Sequence, residues 1–271
     1  MLGKLIKNEF KSTAYSILNV YLAALVTIAA MAFSYIFDIS WISTLSTVLL
    51  MILSGVAILM TLVMVVTAFA KSLYGNQGYL SFSLPVKSGA LLASKALVAF
   101  TWILLSYLMA IAIWIGVYFY AAARIGQDRI TTIKALLQMF ESLPGEKAIK
   151  QMLIFFAVMI FAQIVVLIAQ IYFAITLSNT KPFQQYGVLS AIIAFFAVFI
   201  VMQIMTGLLT SYVPITLLIE GDGMAISFKE SMVDSQNMMA LGLTGFFFQV
   251  LASATLFAST SYLMNKRVNV K

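Results

Sequence analysis

Residues 42–70 read ISTLSTVLLMILSGVAILMTLVMVVTAFA, an apolar run without a charged side chain. A helix that crosses a hydrocarbon core of ~30 Å needs roughly 20 predominantly apolar residues. This run is long enough, and it is continuous, whereas the strands of a membrane barrel alternate apolar and polar residues in segments of about 10. The stretch therefore predicts a transmembrane helix and indicates the class of the whole chain.

The rest of the chain repeats this pattern. Hydrophobic residues make up 63% of the sequence and charged residues 9%, whereas soluble domains usually carry about 25% charged residues. We predict an all-α, polytopic membrane protein with a single transmembrane domain over residues 1–271. The six predicted transmembrane helices cover residues 14–37, 42–70, 90–123, 152–178, 187–219 and 240–264, and we place no charge inside their apolar bodies.

Residues 1–13 precede the first predicted span and have a helical pattern of their own. Leu2, Leu5, Ile6 and Phe10 fall on one helical face, and polar residues fall on the other. This pattern predicts an amphipathic interfacial helix, whose cations are attracted to anionic lipid by about 1 kcal/mol each. The polar face carries Asn8 and the basic residues Lys4, Lys7 and Lys11.

The distribution of charge predicts the orientation, because Lys and Arg near membrane ends favour the cytoplasmic side. With the N-terminus inside, the inner regions hold ten cations and one acid, Glu9, whereas the outer regions hold six cations and eight acids. Five of the outer cations lie between the third and fourth spans, a local departure from the rule. We predict that both termini are cytoplasmic. The cations follow the membrane borders, so we expect no nucleic-acid partner.

A short basic loop, residues 71–89, separates the second and third predicted spans with the sequence KSLYGNQGYLSFSLPVKSG. It combines rigid aromatic side chains with glycines, which permit close backbone approach, and with a Leu-Pro pair that ends a helix. From the residues alone, the loop is either a docking surface for another protein or a re-entry turn whose aromatics lie in the headgroup belt.

The loop resembles the first cytoplasmic loop of ABC-2 type transporter permeases, the membrane subunits of bacterial ATP-driven exporters. In that family, an aromatic-glycine-tyrosine segment followed by a Leu-Pro turn docks onto a separate ATPase, which the N-terminal helix also touches. The resemblance implies a type V ABC exporter-like fold in the bacterial cell membrane, two copies of an ABC ATPase subunit, and a second permease copy in a homodimer. The coupling residues that it implies are Tyr74, Gly75, Gly78, Tyr79, Leu80, Phe82, Leu84 and Pro85.

Several residue types and motifs are absent from the sequence. The chain has no His and no Cys, which excludes thiol nucleophiles, imidazole bases and the usual zinc sites. It also has no G-x-x-x-x-G-K-[ST] motif, so we expect ATP and Mg to bind to the partner ATPase and no cofactor or metal to bind here. We therefore predict no catalytic residue and no enzyme activity. Many permeases of the family carry an acid where Gln77 stands, and the neutral Gln77 side chain cannot form a salt bridge to the ATPase at this position.

The segment 124–150 contains apolar residues at helical spacing and ends at Pro144-Gly145. This pattern predicts an amphipathic helix on the outer surface, serving either as a lid over the bundle or as a lateral gate.

Residues 187–219 are too long for one perpendicular crossing, because a rise of ~1.5 Å per residue would give about 50 Å. Gly207 and Pro214 offer a break. We therefore expect an outer segment over residues 208–239, which the resemblance implies to consist of re-entrant helices. A single tilted and kinked helix is the alternative.

Polar side chains inside the predicted spans are costly in lipid, and they mark either helix-packing seams or a water-filled pathway. One stripe on the second span comprises Thr47, Ser54 and Thr61. Another, on the sixth span, comprises Gly242, Gly245, Gln249 and Ser253. The glutamines that we assign to a pathway or to helix packing are Gln163, Gln170, Gln203 and Gln249.

Function follows from the resemblance and from the composition of the spans. We expect a permease subunit that exports amphipathic or hydrophobic peptides, since a wall rich in Phe and Met suits an apolar cargo. A secondary transporter is one alternative, although proton coupling normally requires buried ionisable residues. A non-transport membrane scaffold is another.

Overall fold

Long helices dominate the computed structural model, which describes residues 2–37, 39–75, 88–124, 130–131, 134, 146–220, 223–228 and 240–266. Three short strands lie between the last two helices. The helices are α1 (Leu2–Ile36), α2 (Ser40–Tyr74), α3 (Ser88–Arg124), α4 (Glu146–Ser178), α5 (Gly187–Tyr212) and α6 (Thr244–Lys266). The strands are β1 (Thr216–Glu220), β2 (Gly223–Ser227) and β3 (Ala240–Gly242).

The helices α2 to α6 each contain a stretch that is long and apolar enough to cross a membrane. In α1, the parts Gly3–Tyr15 and Ile17–Phe33 meet at an angle of 49°, and together they would make a sixth span. The bend lies where the predicted interfacial helix, residues 1–13, gives way to the first predicted span. These long apolar helices are those of a multi-pass membrane protein.

The chain divides into two compact units, Met1–Thr132 with Val270–Lys271, and Ile133–Asn269. In the first unit, α1, α2 and α3 contact one another. Ala24 of α1 and Leu50 of α2 share a buried cluster, and Thr47 of α2 contacts Met31 of α1. Because the residue numbers rise along α1 as they fall along α2, these two helices are antiparallel.

The polar stripe on α2 lies within the packed interior of the first unit. Ser54 and Thr61 are buried, and Thr47 is half-buried. The stripe is therefore a helix-packing seam, as small and hydroxyl-bearing residues often form in membranes. The buried residues of this helix are Ser43, Ser46, Leu50, Ser54, Ala57, Thr61, Val65, Phe69 and Leu73.

In the second unit, α4, α5 and α6 contact one another. A short turn ending in a 3₁₀ helix (Gln184–Tyr186) joins α4 to α5. The side-chain amide nitrogen of Asn179 donates to the backbone carbonyl of Ile175 at 2.8 Å, which satisfies one of the free carbonyls at the end of α4. Gly187 then has a φ of 54°, in the left-handed region that favours glycine, so the chain can reverse into α5.

The segment after α5 differs from the sequence prediction. The helix passes through Gly207 and ends at Tyr212, because Pro214 disfavours helical geometry at Val213, whose φ and ψ are −85° and 127°. The strands then form a three-stranded antiparallel sheet in the order β2-β1-β3. The described part of residues 208–239 therefore consists of the end of α5 and of β1 and β2, and not of the re-entrant helices that the resemblance implies.

A sequence signal for the sheet was present. Gly221-Asp222 separates the two apolar runs that form β1 and β2, and such a pair is a typical two-residue hairpin connection. The apolar character of residues 215–219 led to their assignment to the fifth span instead. A short apolar run does not by itself distinguish a strand from the end of a helix.

Gly245, near the start of α6, lies directly against α5. A Cβ atom at this position would lie 3.0 Å from the carbonyl oxygen of Thr206 and would also meet the hydroxyl of Thr210. The Thr244 hydroxyl donates to the carbonyl of Leu209 at 2.5 Å. This part of the small-residue stripe is therefore a close helix-packing seam.

We expect Gly245→Ala to lower the free energy of unfolding by about 1–3 kcal/mol, the usual cost of overpacking. Gly207→Ala is the matched control, because a Cβ atom there meets nothing within 4 Å. Unfolding of both variants in mixed micelles, followed by circular dichroism, measures the difference. Equal stability of the two variants would contradict the close packing of α5 and α6.

Candidate functional site

The N-terminal part of α1, residues 3–15, packs its apolar face against α3. Ile6 and Phe10 contact a buried cluster formed by Ile17 of α1 and by Val98 and Trp102 of α3. On the opposite face the basic side chains are exposed, as the sequence pattern predicts. The apolar face, however, lies on protein. The exposed basic residues are Lys4, Lys7 and Lys11.

Glu9 projects from this apolar face and forms an ion pair with Lys95 of α3. The exposed fractions of the two side chains are 22% for Glu9 and 3% for Lys95. Lys95 lies two turns into α3, about 10 Å from its first residue at ~1.5 Å per residue. A cation this deeply buried is tolerated when it is paired, because an uncompensated buried charge is strongly destabilising.

One turn further along α1, Thr13 and Trp102 form a second polar contact between the same two helices. The indole nitrogen of Trp102 donates to the Thr13 hydroxyl at 2.9 Å. The rings of Phe10 and Trp102 lie 5.6 Å apart at a tilted angle. An ion pair, a hydrogen bond and an aromatic contact thus fix the N-terminal segment to the first half of α3.

A third polar contact connects α1, α2 and α3. The Tyr21 hydroxyl and the Ser106 hydroxyl are 2.8 Å apart, and Ser106 lies 2.6 Å from the hydroxyl of Thr61. Thr61 also donates to the carbonyl of Ala57 at 2.8 Å. Each of these three hydroxyls has a partner in the protein, which hydrocarbon could not provide.

The order of these contacts shows how the helices run. From Glu9–Lys95 to Thr13–Trp102 to Tyr21–Ser106, the residue numbers rise together along α1 and α3, so these helices are parallel. Since α2 is antiparallel to α1, the end of α2 and the start of α3 lie at the same end of the unit as the N-terminal segment. Those two helix ends flank residues 76–87.

Two of the eight predicted coupling residues fall within the described structure. Tyr74 ends α2 with its ring 6.1 Å from the ring of Phe69. The backbone N–H of Gly75 donates to the carbonyl of Lys71 at 3.2 Å. The other predicted coupling residues, which lie outside the described residues, are Gly78, Tyr79, Leu80, Phe82, Leu84 and Pro85.

The four glutamines of the predicted spans have different environments, all within the second unit. Gln170 of α4 is buried and Gln249 of α6 is half-buried. Gln163 of α4 and Gln203 of α5 are exposed. Gln163 and Gln170 therefore differ in environment despite their helical spacing of seven.

The role of Glu9 was not predicted from the sequence, and Lys95 was counted only among the ten inner cations, although it lies within the predicted span 90–123. A signal was available, because Glu9 lies seven residues after Leu2 and three after Ile6, on the apolar face of the amphipathic pattern. An acid on that face indicates a buried partner. The partner itself could not be chosen from the sequence, since the contact joins residues 86 positions apart.

No protein-family model matches the chain, and no curated protein or solved structure matches it either. Among the described residues, no group of three or more potential metal ligands comes together. The candidate site therefore consists of the contacts that join the N-terminal segment of α1 to α3.

We expect Glu9→Gln to lower the free energy of unfolding by about 3–5 kcal/mol, because it leaves the buried Lys95 ammonium without its counter-charge. Lys95→Met should cost less, since the Glu9 carboxylate keeps partial access to solvent. The double variant should be more stable than the sum of the two single effects predicts.

A double-mutant cycle in mixed micelles measures this coupling. Lys7→Met is the control, because it removes an exposed cation from the same segment. Additive effects of the two substitutions would contradict a stabilising contact between Glu9 and Lys95.

Proposed function

We propose that this chain is the membrane subunit of an ATP-driven exporter of the ABC-2 type. In this proposal, two copies of the chain form the translocation pathway in the bacterial cell membrane. Each copy binds one separate ABC ATPase subunit, which holds ATP and Mg, and both termini are cytoplasmic. Amphipathic or hydrophobic peptides are the proposed cargo.

One observation carries the proposal. The N-terminal helix resembles one ATPase-contacting part of the family, and the predicted docking loop, residues 71–89, resembles the other. The described helix ends that flank residues 76–87, the end of α2 and the start of α3, lie at the same end of the first unit as the N-terminal helix. Glu9–Lys95 and Thr13–Trp102 attach the N-terminal helix to α3, just beyond that loop. A force applied to either element would therefore move α1 and α3 together.

This attachment suggests how ATP hydrolysis would reach the spans. A change in the ATPase would displace the loop, and the ion pair would transmit the displacement from α3 to α1. The hydrogen bonds that join Tyr21 of α1, Ser106 of α3 and Thr61 of α2 would then carry the displacement to α2. The exposed lysines of the N-terminal helix remain free to contact the ATPase or anionic lipid.

Exposed amides in the second unit support pairing of two copies. Gln163 and Gln203 lie on helices that are long and apolar enough to cross a membrane, yet both side chains are exposed. Amides at such positions usually face protein or water rather than lipid. In the proposal they face a second copy or the pathway between the copies.

A secondary transporter is the second candidate, and one observation favours it. Glu9 and Lys95 form an ionisable pair in which Lys95 is buried, whereas no charge was predicted inside the spans. Such pairs mark proton relays in some transporters. The pair lies near the helix ends and not at mid-span, so we rank this candidate below the ATP-driven exporter.

Purification of the tagged chain from its native membrane in mild detergent, followed by mass spectrometry, tests the ATPase partner. We expect a Walker-motif ATPase at equal stoichiometry and its loss in Tyr79→Asp, which places a charge in the predicted docking loop. Gln185→Asp is the control, because it adds the same charge to the exposed turn between α4 and α5.

The proposal fails if no ATPase accompanies the chain, or if Tyr79→Asp retains the ATPase as the wild type does. Substrate uptake into vesicles then separates the two candidates. Transport that depends on a proton gradient, is independent of ATP and is lost in Glu9→Gln would support the secondary transporter.

Pairing of two copies is tested with single cysteines, which the chain permits because it has no native Cys. We expect Gln203→Cys to give a cross-linked dimer in membranes treated with a short bifunctional thiol reagent. Val201→Cys is the matched control, since this exposed residue lies about 200° around the same helix at ~100° per residue. Cross-linking of Val201→Cys instead of Gln203→Cys would place the interface on another face.

A further inference from the structure

A partly open cavity of about 450 Å³ lies beside the turn between α4 and α5. Its volume falls within the range of ~300–1,000 Å³ that is typical of ligand sites, and its surface is almost entirely apolar. Leu189 and Ile193 of α5 are each 59% exposed, so the cavity has an accessible apolar wall. The principal apolar lining residues are Leu177, Phe183, Tyr186, Leu189, Ile193 and Ala194.

The two polar residues that line the cavity do not offer free hydrogen-bonding groups to a ligand. The Ser178 hydroxyl donates to the carbonyl of Ile175 at 2.8 Å. The Ser190 hydroxyl donates to the carbonyl of Gly187 at 2.7 Å. Both serines are buried. The cavity therefore suits an aliphatic chain better than a polar molecule.

One cation lies in the turn next to this cavity. Lys181 is in the turn, between the cavity-lining residues Ser178 and Phe183, and it is exposed. It is the only charged residue in the sequence between Lys150 and Glu220. An apolar cavity beside a lone exposed cation matches a molecule with an aliphatic tail and an anionic head.

The position of the cavity in the fold indicates that such a molecule would come from the membrane. The cavity lies where two helices that could span the membrane end. Phe183 and Tyr186 in the turn are both exposed, and aromatic side chains at the ends of membrane-spanning helices commonly contact lipid headgroups. The charge pattern of the sequence predicts that this turn is on the cytoplasmic side, where the leaflet is rich in anionic lipid.

We propose that this cavity binds one acyl chain of an anionic phospholipid and that the Lys181 ammonium contacts the headgroup phosphate. The inference depends on membrane insertion and not on the proposed export function. An exposed apolar wall between two spanning helices is filled by lipid, and the cation selects among lipids by charge. The site is thus a lipid-binding site between α4 and α5.

Native mass spectrometry of the delipidated chain in mild detergent tests the site. The probes are phosphatidylglycerol and phosphatidylcholine with identical acyl chains. We expect the wild type to bind phosphatidylglycerol roughly fivefold more tightly, the ratio that corresponds to ~1 kcal/mol per cation near a charged lipid. Lys181→Gln should abolish this preference, and Lys147→Gln, which removes an exposed cation from the start of α4, should retain it.

Ala194→Phe should weaken binding of both lipids, because its side chain fills the cavity. Ala194→Leu should have a smaller effect, which separates filling of the cavity from misfolding. Ala197→Phe, at an exposed position on the same helix, is the control. Circular dichroism and size-exclusion chromatography verify the fold of each variant.

Two results would overturn the proposal. One is unchanged lipid binding in folded Ala194→Phe and Ala194→Leu, and the other is an unchanged lipid preference in Lys181→Gln. If Ala194→Phe lowers the fraction of dimer while lipid binding persists, a second copy of the chain occupies the cavity instead. Loss of the ATPase partner in Tyr79→Asp would leave these lipid measurements unaffected, so the two proposals fail independently.

Discussion

The absence of water from the hydrocarbon core is the constraint on which the packing of the first unit depends. A polar side chain there needs a partner from the protein, because lipid offers none. Lys95 forms an ion pair with Glu9, the Trp102 indole donates a hydrogen bond to Thr13, and the Tyr21 hydroxyl is hydrogen-bonded to the Ser106 hydroxyl. These pairs fix which faces of α1 and α3 meet, since apolar side chains alone would pack against lipid about as well as against each other.

The second unit achieves close packing by a different means. Gly245 allows α6 to approach the backbone of α5 near Thr206. Small residues at a helix interface permit van der Waals contact over a long stretch, which replaces the hydrophobic driving force that membranes lack. The sheet after α5 satisfies its own backbone groups by pairing β1 with strands on both sides.

Helix length has a consequence for function. The helices α2 and α3 contain 35 and 37 residues, which corresponds to more than 50 Å at ~1.5 Å per residue, against a hydrocarbon core of ~30 Å. Their ends can therefore reach beyond the hydrocarbon, where a soluble partner could contact the connecting loop. The ion pair near the start of α3 would transmit a movement of α3, caused by such a contact, to α1.

Much of this protein could be read from the sequence by itself. Each of the six predicted spans overlaps one of the six long helices in the described part of the chain, because a continuous apolar run of that length has few other stable forms. The fifth and sixth predicted spans also include residues that form β1 and β3. The amphipathic pattern of residues 1–13 also correctly predicted exposure of Lys4, Lys7 and Lys11, since helical periodicity is a local property.

Tertiary structure decided the rest. Pairing of Glu9 with Lys95 joins residues that are far apart in the sequence. Helical periodicity does not predict which face of another helix a side chain will contact. The strands after α5 required pairing partners as far away as Gly242, and the differing burial of Gln163 and Gln170 depends on neighbouring helices. Local sequence determines where helices form, whereas long-range contacts determine which of their polar groups become partners.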